Sequence, residues 1–266
     1  MTGVNVKEKV SVPFISNLLQ NNRYHLMNGL ALEEIKKVED NSIDLICIDP
    51  PYNLAGYSTG NMNFSWRKTI NNDLAEWDLE HFFPEKYLSE FRRVLSDRGN
   101  IFAFCSYNLL GDWHRFFDPE FDTFQFVIWH KTNPAPKFRK AGFLNSCEII
   151  VCMWNKGHIW NFTKQSEMHN FIETPICMGN ERIKDPHHPT QKPLRVLNKI
   201  IEWATEPDSI VLDCFMGVSS TGHAAIENGR RFIGIEYDKN YYTKFSAKKT
   251  PIVMLCSSLN SKDLFM

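Results

Sequence analysis

No two of the seven cysteines stand at Cys-x-x-Cys spacing; they are scattered at 47, 105, 147, 152, 177, 214 and 256. Several lie inside apolar runs such as Leu45-Ile46-Cys47-Ile48, which fits reduced core thiols and not a disulfide framework or a zinc site. The nine histidines fall into no metal-ligand spacing, and no metal is expected. No apolar run is long enough to span a bilayer, and Met1 to Val10 lacks the apolar stretch of a signal peptide. A cytoplasmic protein without a membrane partner is expected. Charge of one sign is also missing: the formal net charge is -1, so composition gives no whole-molecule pull toward polyanions, and any nucleic-acid contact must come from local clustering. Internal repeats and low-complexity tracts are absent.

What remains is an ordinary globular composition, 43% hydrophobic and 23% charged over 266 residues. That length suits one large α/β domain spanning 1–266. Aromatic residues make up 13%, serving either core packing or surfaces that stack on bases.

Ile43-Asp44-Leu45-Ile46-Cys47-Ile48 reads as a buried strand running into Asp49-Pro50-Pro51-Tyr52. Two successive prolines end both ladder pairing and helix, so the tetrapeptide is a rigid turn at a strand's C-terminal end. Residues 53–81 are polar, with no clear period, and read as a mobile loop over the site. Pro84 opens a helix with Tyr87, Leu88, Phe91, Val94 and Leu95 on one face. The turn Asp97 to Asn100 leads to a strand from Ile101 to Phe104. Further strands are expected at Phe124–Trp129, Glu148–Trp154, Ile210–Asp213 and Arg231–Glu236. Helices are expected after Pro193 and before Gly229. The weakly patterned stretch 156–187 reads as a small insertion. Alternating strands and helices imply a mostly parallel twisted sheet with helices on both faces.

Two places carry chemistry. Val211 to Asn228 is a strand, a Gly-containing turn and a helix start, the shape of a nucleotide-type site. Glu236 ends the next strand, where a carboxylate can accept ribose hydroxyls. Neither Gly-x-Gly-x-x-Gly nor a Walker sequence is present, which points to an adenosine cofactor without phosphate; S-adenosylmethionine is one. At the tetrapeptide, the Asp49 carboxylate and the Pro50 carbonyl offer two acceptors on a preorganised backbone. An exocyclic base amine needs such acceptors, because its lone pair is delocalised into the ring until it rehybridises. Tyr52 offers a ring face for an extruded base. Taken alone, Asp-Pro-Pro is equally a plain turn.

The ordered set Asp49-Pro50-Pro51-Tyr52-Asn53, His188-Pro189-Thr190-Gln191-Lys192-Pro193, Asp213-Cys214-Phe215-Met216-Gly217 and Gly234-Ile235-Glu236-Tyr237-Asp238 resembles the β-class DNA amino-methyltransferases, over roughly residues 23–249. Trp129 to Pro136 is similar to adenine-specific members, including companions of restriction systems. The resemblance implies a circularly permuted, Rossmann-like methyltransferase fold with S-adenosylmethionine as methyl donor. It implies catalysis by Asp49, Pro50, Pro51 and Tyr52. The cofactor would meet Asp49, Pro50, Thr190, Lys192, Phe215, Gly217, Ser219, Ser220, Glu236 and Tyr237. The sequence departs from the family at Ser219, which replaces a second turn glycine and removes backbone freedom, and at Leu30, where the family often has Asp after Gly.

DNA is the expected partner, and family members often dimerise. Lys131, Lys137, Arg139 and Lys140 form a basic cluster for phosphates, while Trp66, Arg67 and Lys68 lie in the 53–81 loop. The stretch 156–187 sits where the family keeps target recognition. The expected reaction is adenine N6 methylation at a short DNA sequence. N4-cytosine methylation uses the same chemistry, although those enzymes more often carry Ser before Pro-Pro-Tyr. Protein glutamine or RNA methylation is opposed by Asp49 and the motif order. A catalytically silent DNA-binding module would be supported only by the altered glycine turn.

Overall fold

The computed structural model describes residues 22–53, 62–64, 67–70, 82–136, 142–179, 181–183 and 190–246, with Ile15 and Leu19. The first half comprises β1 (Tyr24–Asn28), α1 (Ala31–Glu34), β2 (Ile43–Ile48), β3 (Met62–Phe64), β4 (Arg67–Ile70), α2 (Leu88–Val94), β5 (Leu95–Cys105) and α3 (Leu110–Phe117). The second comprises β6 (Thr123–Lys131), β7 (Cys147–Trp154), β8 (Phe171–Thr174), α4 (Leu194–Ala204), β9 (Ile210–Asp213), α5 (Ser220–Glu227), β10 (Arg231–Glu236) and α6 (Lys239–Ser246). Eight strands form one sheet in the order β1-β10-β9-β2-β5-β7-β6-β8. Neighbours run parallel except at β7, which is antiparallel to both β5 and β6. The expected mostly parallel sheet is present.

Alternation along each strand divides the core into two layers. Ile46 and Ile48 of β2, Ile101 and Ala103 of β5 and Leu212 of β9 face one side, against Phe91, Val94, Trp113 and Phe117. Leu45 and Cys47, Phe102 and Phe104, and Val211 face the other, against Val196, Leu197, Ile200, Ile201 and Ala224. Both faces are therefore covered by helices, which is why these strands read as near-continuous apolar runs. Among the described residues no helix is long and apolar enough to cross a membrane.

Three stretches differ from the sequence expectation. Leu95 belongs to β5 and not to the preceding helix, and the turn at 97–100 is absorbed as a bulge, with Ile43 opposite Leu95 and Leu45 opposite Asn100. A Cβ on Gly99 would lie 2.6 Å from the Leu95 side chain and 2.9 Å from the Ile43 carbonyl oxygen, so only glycine passes there. The 53–81 loop contains the antiparallel ribbon β3–β4, whose three and four residues are too few to register as a period. The stretch 156–187 is no separate insertion throughout, because β8 adds to the main sheet parallel to β6. Its alternating burial spans only Phe171 to Thr174.

This topology fixes where chemistry can sit. β9 and β2 are neighbours, and the sheet grows outward from them in opposite directions, through β10 and β1 on one side and β5 on the other. The crevice beyond the C-terminal ends of such strands is where open α/β sheets bind ligands. Asp49, Ser106, Asp213 and Glu236 end or follow β2, β5, β9 and β10 at this edge, and the antiparallel direction of β7 brings its first residues, Cys147 and Glu148, to the same edge.

Candidate active site

Asp49 is held through both carboxylate oxygens. The Tyr52 hydroxyl donates to Oδ1 at 2.8 Å and Lys192 Nζ donates to Oδ2 at 2.6 Å. A second carboxylate stands behind them: Glu148 Oε2 accepts from the Tyr52 hydroxyl at 3.2 Å and lies 3.4 Å from Lys192 Nζ. Glu148 Oε1 pairs with Lys131 Nζ at 2.6 Å. Lys192 is also bedded on aromatic faces, 5.2 Å from the Tyr52 ring centre and 4.9 Å from that of Phe104. Two carboxylates and two ammonium groups thus balance within one half-buried cluster.

The environment sets the protonation of each member. Burial pushes the Asp49 carboxyl up, with Lys192 opposing and the Glu148 charge adding to the rise. Burial also disfavours the Glu148 charge, but Lys192 and Lys131 together outweigh it and hold that carboxyl below its usual range. Lys192 loses solvation yet gains two carboxylate partners, so its ammonium is held more firmly than usual. Burial raises the Tyr52 hydroxyl far above ordinary tyrosine, so it acts as a donor and not as a phenolate.

The backbone of the tetrapeptide is pinned from β5. The Ser106 hydroxyl and the Asn108 amide both donate to the Tyr52 carbonyl at 3.1 Å. Among the described residues no donor takes the Pro50 carbonyl, which leaves it available as an acceptor beside Asp49. Asn53 follows in the left-handed conformation, φ 55°.

The second half of the site is built by β9 and β10. Glu236 Oε2 accepts the Gly217 N–H at 2.6 Å and Oε1 accepts the Asp238 N–H at 2.7 Å. Gly217 has φ 52°, a conformation that favours glycine. Asp213 Oδ1 accepts the Phe215 N–H at 2.9 Å, and burial lifts this carboxyl to about 7. The Phe215 ring is fixed by Phe82 and Tyr87, with centres 5.5 and 5.4 Å away. Each Glu236 oxygen keeps a lone pair for a hydroxyl, and the turn keeps its backbone close, so an adenosine-type ligand fits these residues.

The remaining expected residues divide. Thr190 is exposed, and Tyr237 is 63% exposed beside Glu236. Ser219 takes φ 59° in place of glycine, and its hydroxyl is buried against Gly222, so it packs inward. The Ser220 hydroxyl is buried at the start of α5 and has no partner among the described residues. Leu30 is 53% exposed where β1 ends beside Glu236. Lys131 departs from its expected phosphate role: the β6–β7 register sets Trp129 opposite Glu148, which draws the lysine inward to that carboxylate. Arg67 and Lys68 open β4; Trp66, Lys137, Arg139 and Lys140 lie outside the described residues. Glu148, Ser106 and Asn108 were missed from sequence. A lone carboxylate interrupting the apolar run of β7 is the signal that marks Glu148.

Residues 43–249 match the model of the N6_N4_Mtase family, described as DNA methylase. The chain is 32% identical over 239 residues to the type II methyltransferase M.HinfI of Haemophilus influenzae, across 81% of this chain and 65% of that protein. It is 29% identical over 234 residues to the type II methyltransferase M2.LlaDCHI of Lactococcus lactis subsp. cremoris, across 81% and 85%. Its fold matches that of the M1.HpyAVI–SAM complex with a TM-score of 0.63 at 24% identity, covering 88% of this chain and 98% of that one. The match over residues 43–249, on a sheet that brings Asp49, Asp213 and Glu236 to one edge, means that this chain belongs to the DNA methylase family.

Proposed function

We propose that this protein methylates the N6 amine of adenine at a short DNA sequence, using S-adenosylmethionine and a base flipped out of the helix. The observation that carries the reading is the Asp49 carboxylate beside the open Pro50 carbonyl, at the switch point shared with Glu236. S-adenosylmethionine supplies an electrophilic methyl group when bound; Glu236, Gly217 and Phe215 are the residues suited to hold its adenosine part. On the protein's side, two acceptors aimed at the amine hydrogens favour its rehybridisation. The nitrogen that gains a methyl group must lose one proton, and Asp49, raised by burial, is placed to take it. The names of M.HinfI and M2.LlaDCHI as type II methyltransferases, and of the M1.HpyAVI complex with SAM, support this reading.

Around this centre, segment 53–81 is read as the loop that closes over DNA, and 156–187 as the recognition segment, with Met168, Phe171 and Met178 exposed on it. Self-association and a cytoplasmic location complete the proposal. The test is transfer of labelled methyl groups to DNA, followed by mass spectrometry of the nucleosides. 6-Methyladenine formed by the wild type and absent with Asp49→Ala, in a protein that still melts cooperatively, supports it. 4-Methylcytosine as the product, or full activity in the variant, would sink it.

A further inference from the structure

Each Asp49 oxygen already carries one protein donor and keeps a lone pair for another, but one of those donors is a cation, and this weakens the carboxylate toward an incoming amine. Lys192 is 5% exposed and makes a 2.6 Å charge-assisted bond to Oδ2. A carboxylate so engaged is a weaker acceptor for a neutral N–H. The obvious remedy, moving the lysine away, would leave a buried ammonium unpaired, which is strongly unfavourable.

Glu148 removes that obstacle. Its Oε2 lies within reach of the same two donors, 3.2 Å from the Tyr52 hydroxyl and 3.4 Å from Lys192 Nζ. Its Oε1 is anchored by Lys131 at 2.6 Å, so the carboxylate is fixed in place with one oxygen turned to the donors. We propose that Glu148 is a positioning residue of the reaction, the second carboxylate that takes over Lys192 and Tyr52 when a target amine engages Asp49. The ammonium then stays paired throughout, and Asp49 is freed to meet the base. This inference rests on the functional reading above and adds a residue to it.

A purely structural ion pair would fill the same space, so the test must read electrostatics as well as rate. The charged and titratable groups around Asp49 are Lys192, Glu148, Tyr52, Cys47 and Asp213; those around Glu148 are Lys192, Lys131 and Tyr52. Single-turnover methyl transfer to DNA is measured against pH for the wild type, Glu148→Gln and Glu148→Asp, with S-adenosylmethionine affinity from calorimetry. In Glu148→Gln the rate falls about a hundredfold, as for a misplaced reacting group. Its acid limb moves to lower pH, because Asp49 loses a like charge, while cofactor affinity stays within about twofold. Glu148→Asp restores the acid limb and part of the rate.

Lys131→Met guards against a Gln variant that does not fold. It leaves Glu148 present but without its anchor, and the acid limb moves the opposite way, to higher pH, with a rate loss of about tenfold. An unchanged rate, or a lower rate with an unmoved acid limb, in Glu148→Gln overturns the proposal; if that variant is unfolded, an unmoved limb in Lys131→Met does so. A wild type that methylates DNA while these variants behave alike removes only the role of Glu148. A wild type that transfers no methyl group removes the functional reading, and this inference with it.

Discussion

Glu236 Oε2 accepts the Gly217 N–H at 2.6 Å, which ties the end of β10 to the turn that follows β9. With Asp238 N–H on its other oxygen at 2.7 Å, the carboxylate is aimed before any ligand arrives. Glu236→Gln tests that arrangement. An amide has one acceptor oxygen, so either Gly217 or Asp238 must face an NH2 group across a short contact. Hydrogen bonds to a charged group contribute about 1.5–3 kcal/mol. S-adenosylmethionine affinity is therefore expected to fall between about tenfold and about 150-fold by calorimetry, with a lower melting temperature. Unchanged affinity would remove Glu236 from the cofactor site.

Ser219 and Gly222 are coupled across the start of α5. A Cβ on Gly222 would lie 2.5 Å from the Ser219 hydroxyl and 2.5 Å from the Phe232 ring. Ser219 itself holds φ 59°, which costs an L-residue about 1–2 kcal/mol, and its hydroxyl has no partner among the described residues. Ser219→Gly relieves both and returns about 0.5–1 kcal/mol in chain entropy, for a net gain of about 1 kcal/mol. Gly222→Ala overpacks the site and lowers stability by about 1–3 kcal/mol. The double variant is expected to lose less than the sum, since one of the two obstructing groups is gone. Strict additivity in denaturant unfolding would show that the two positions do not interact.

Much of this was legible because it is local. Asp49-Pro50-Pro51-Tyr52 follows an apolar strand, and its geometry is dictated by two prolines. Glu236 and the Gly217 turn are likewise set by strand ends close in sequence. Glu148 was not read as a site residue, and Lys131 was assigned to phosphates and not to that carboxylate, because their meaning depends on the direction of β7. An antiparallel strand among parallel neighbours reverses which end meets the site, and alternation of apolar residues carries no direction. β8 was hidden because four alternating residues are too few to register as a period, and Ser106 and Asn108 because they are ordinary polar residues until β5 is set beside β2.

Asp213 makes stability depend on pH in a defined direction. Its carboxyl rises from the ordinary 3.8 to about 7 in the folded chain, chiefly through burial. Between those values the folded state holds a proton that the unfolded state has released. Stability therefore falls as pH climbs from about 4 to about 7 and is level above, as far as this group is concerned. Asp213→Asn keeps an oxygen for the Phe215 N–H and removes the titration. The variant is expected to match the wild type near pH 4 and to exceed it by a few kcal/mol near pH 8. Urea unfolding at both values checks this; an equal difference at the two would refute it.

Asn53 and Phe82 close the base of the segment between them. The Asn53 amide donates to the Phe82 carbonyl at 2.8 Å, and its Oδ1 accepts the Phe82 N–H at 2.7 Å. The residue also sits at φ 55°, which Asn tolerates better than most side chains. Two variants separate the contributions. Asn53→Gly keeps the backbone at ease and removes only the clasp, whereas Asn53→Ala loses the clasp and strains the backbone. With about 1 kcal/mol for each hydrogen bond, Gly is expected to cost about 2 kcal/mol and Ala about 1–2 kcal/mol more. If residues 54–81 work over the bound DNA, the Gly variant also raises KM for DNA while leaving S-adenosylmethionine affinity unchanged. Loss of cofactor affinity in that variant would instead place the clasp in the service of the Phe82–Phe215 contact and the pocket behind it.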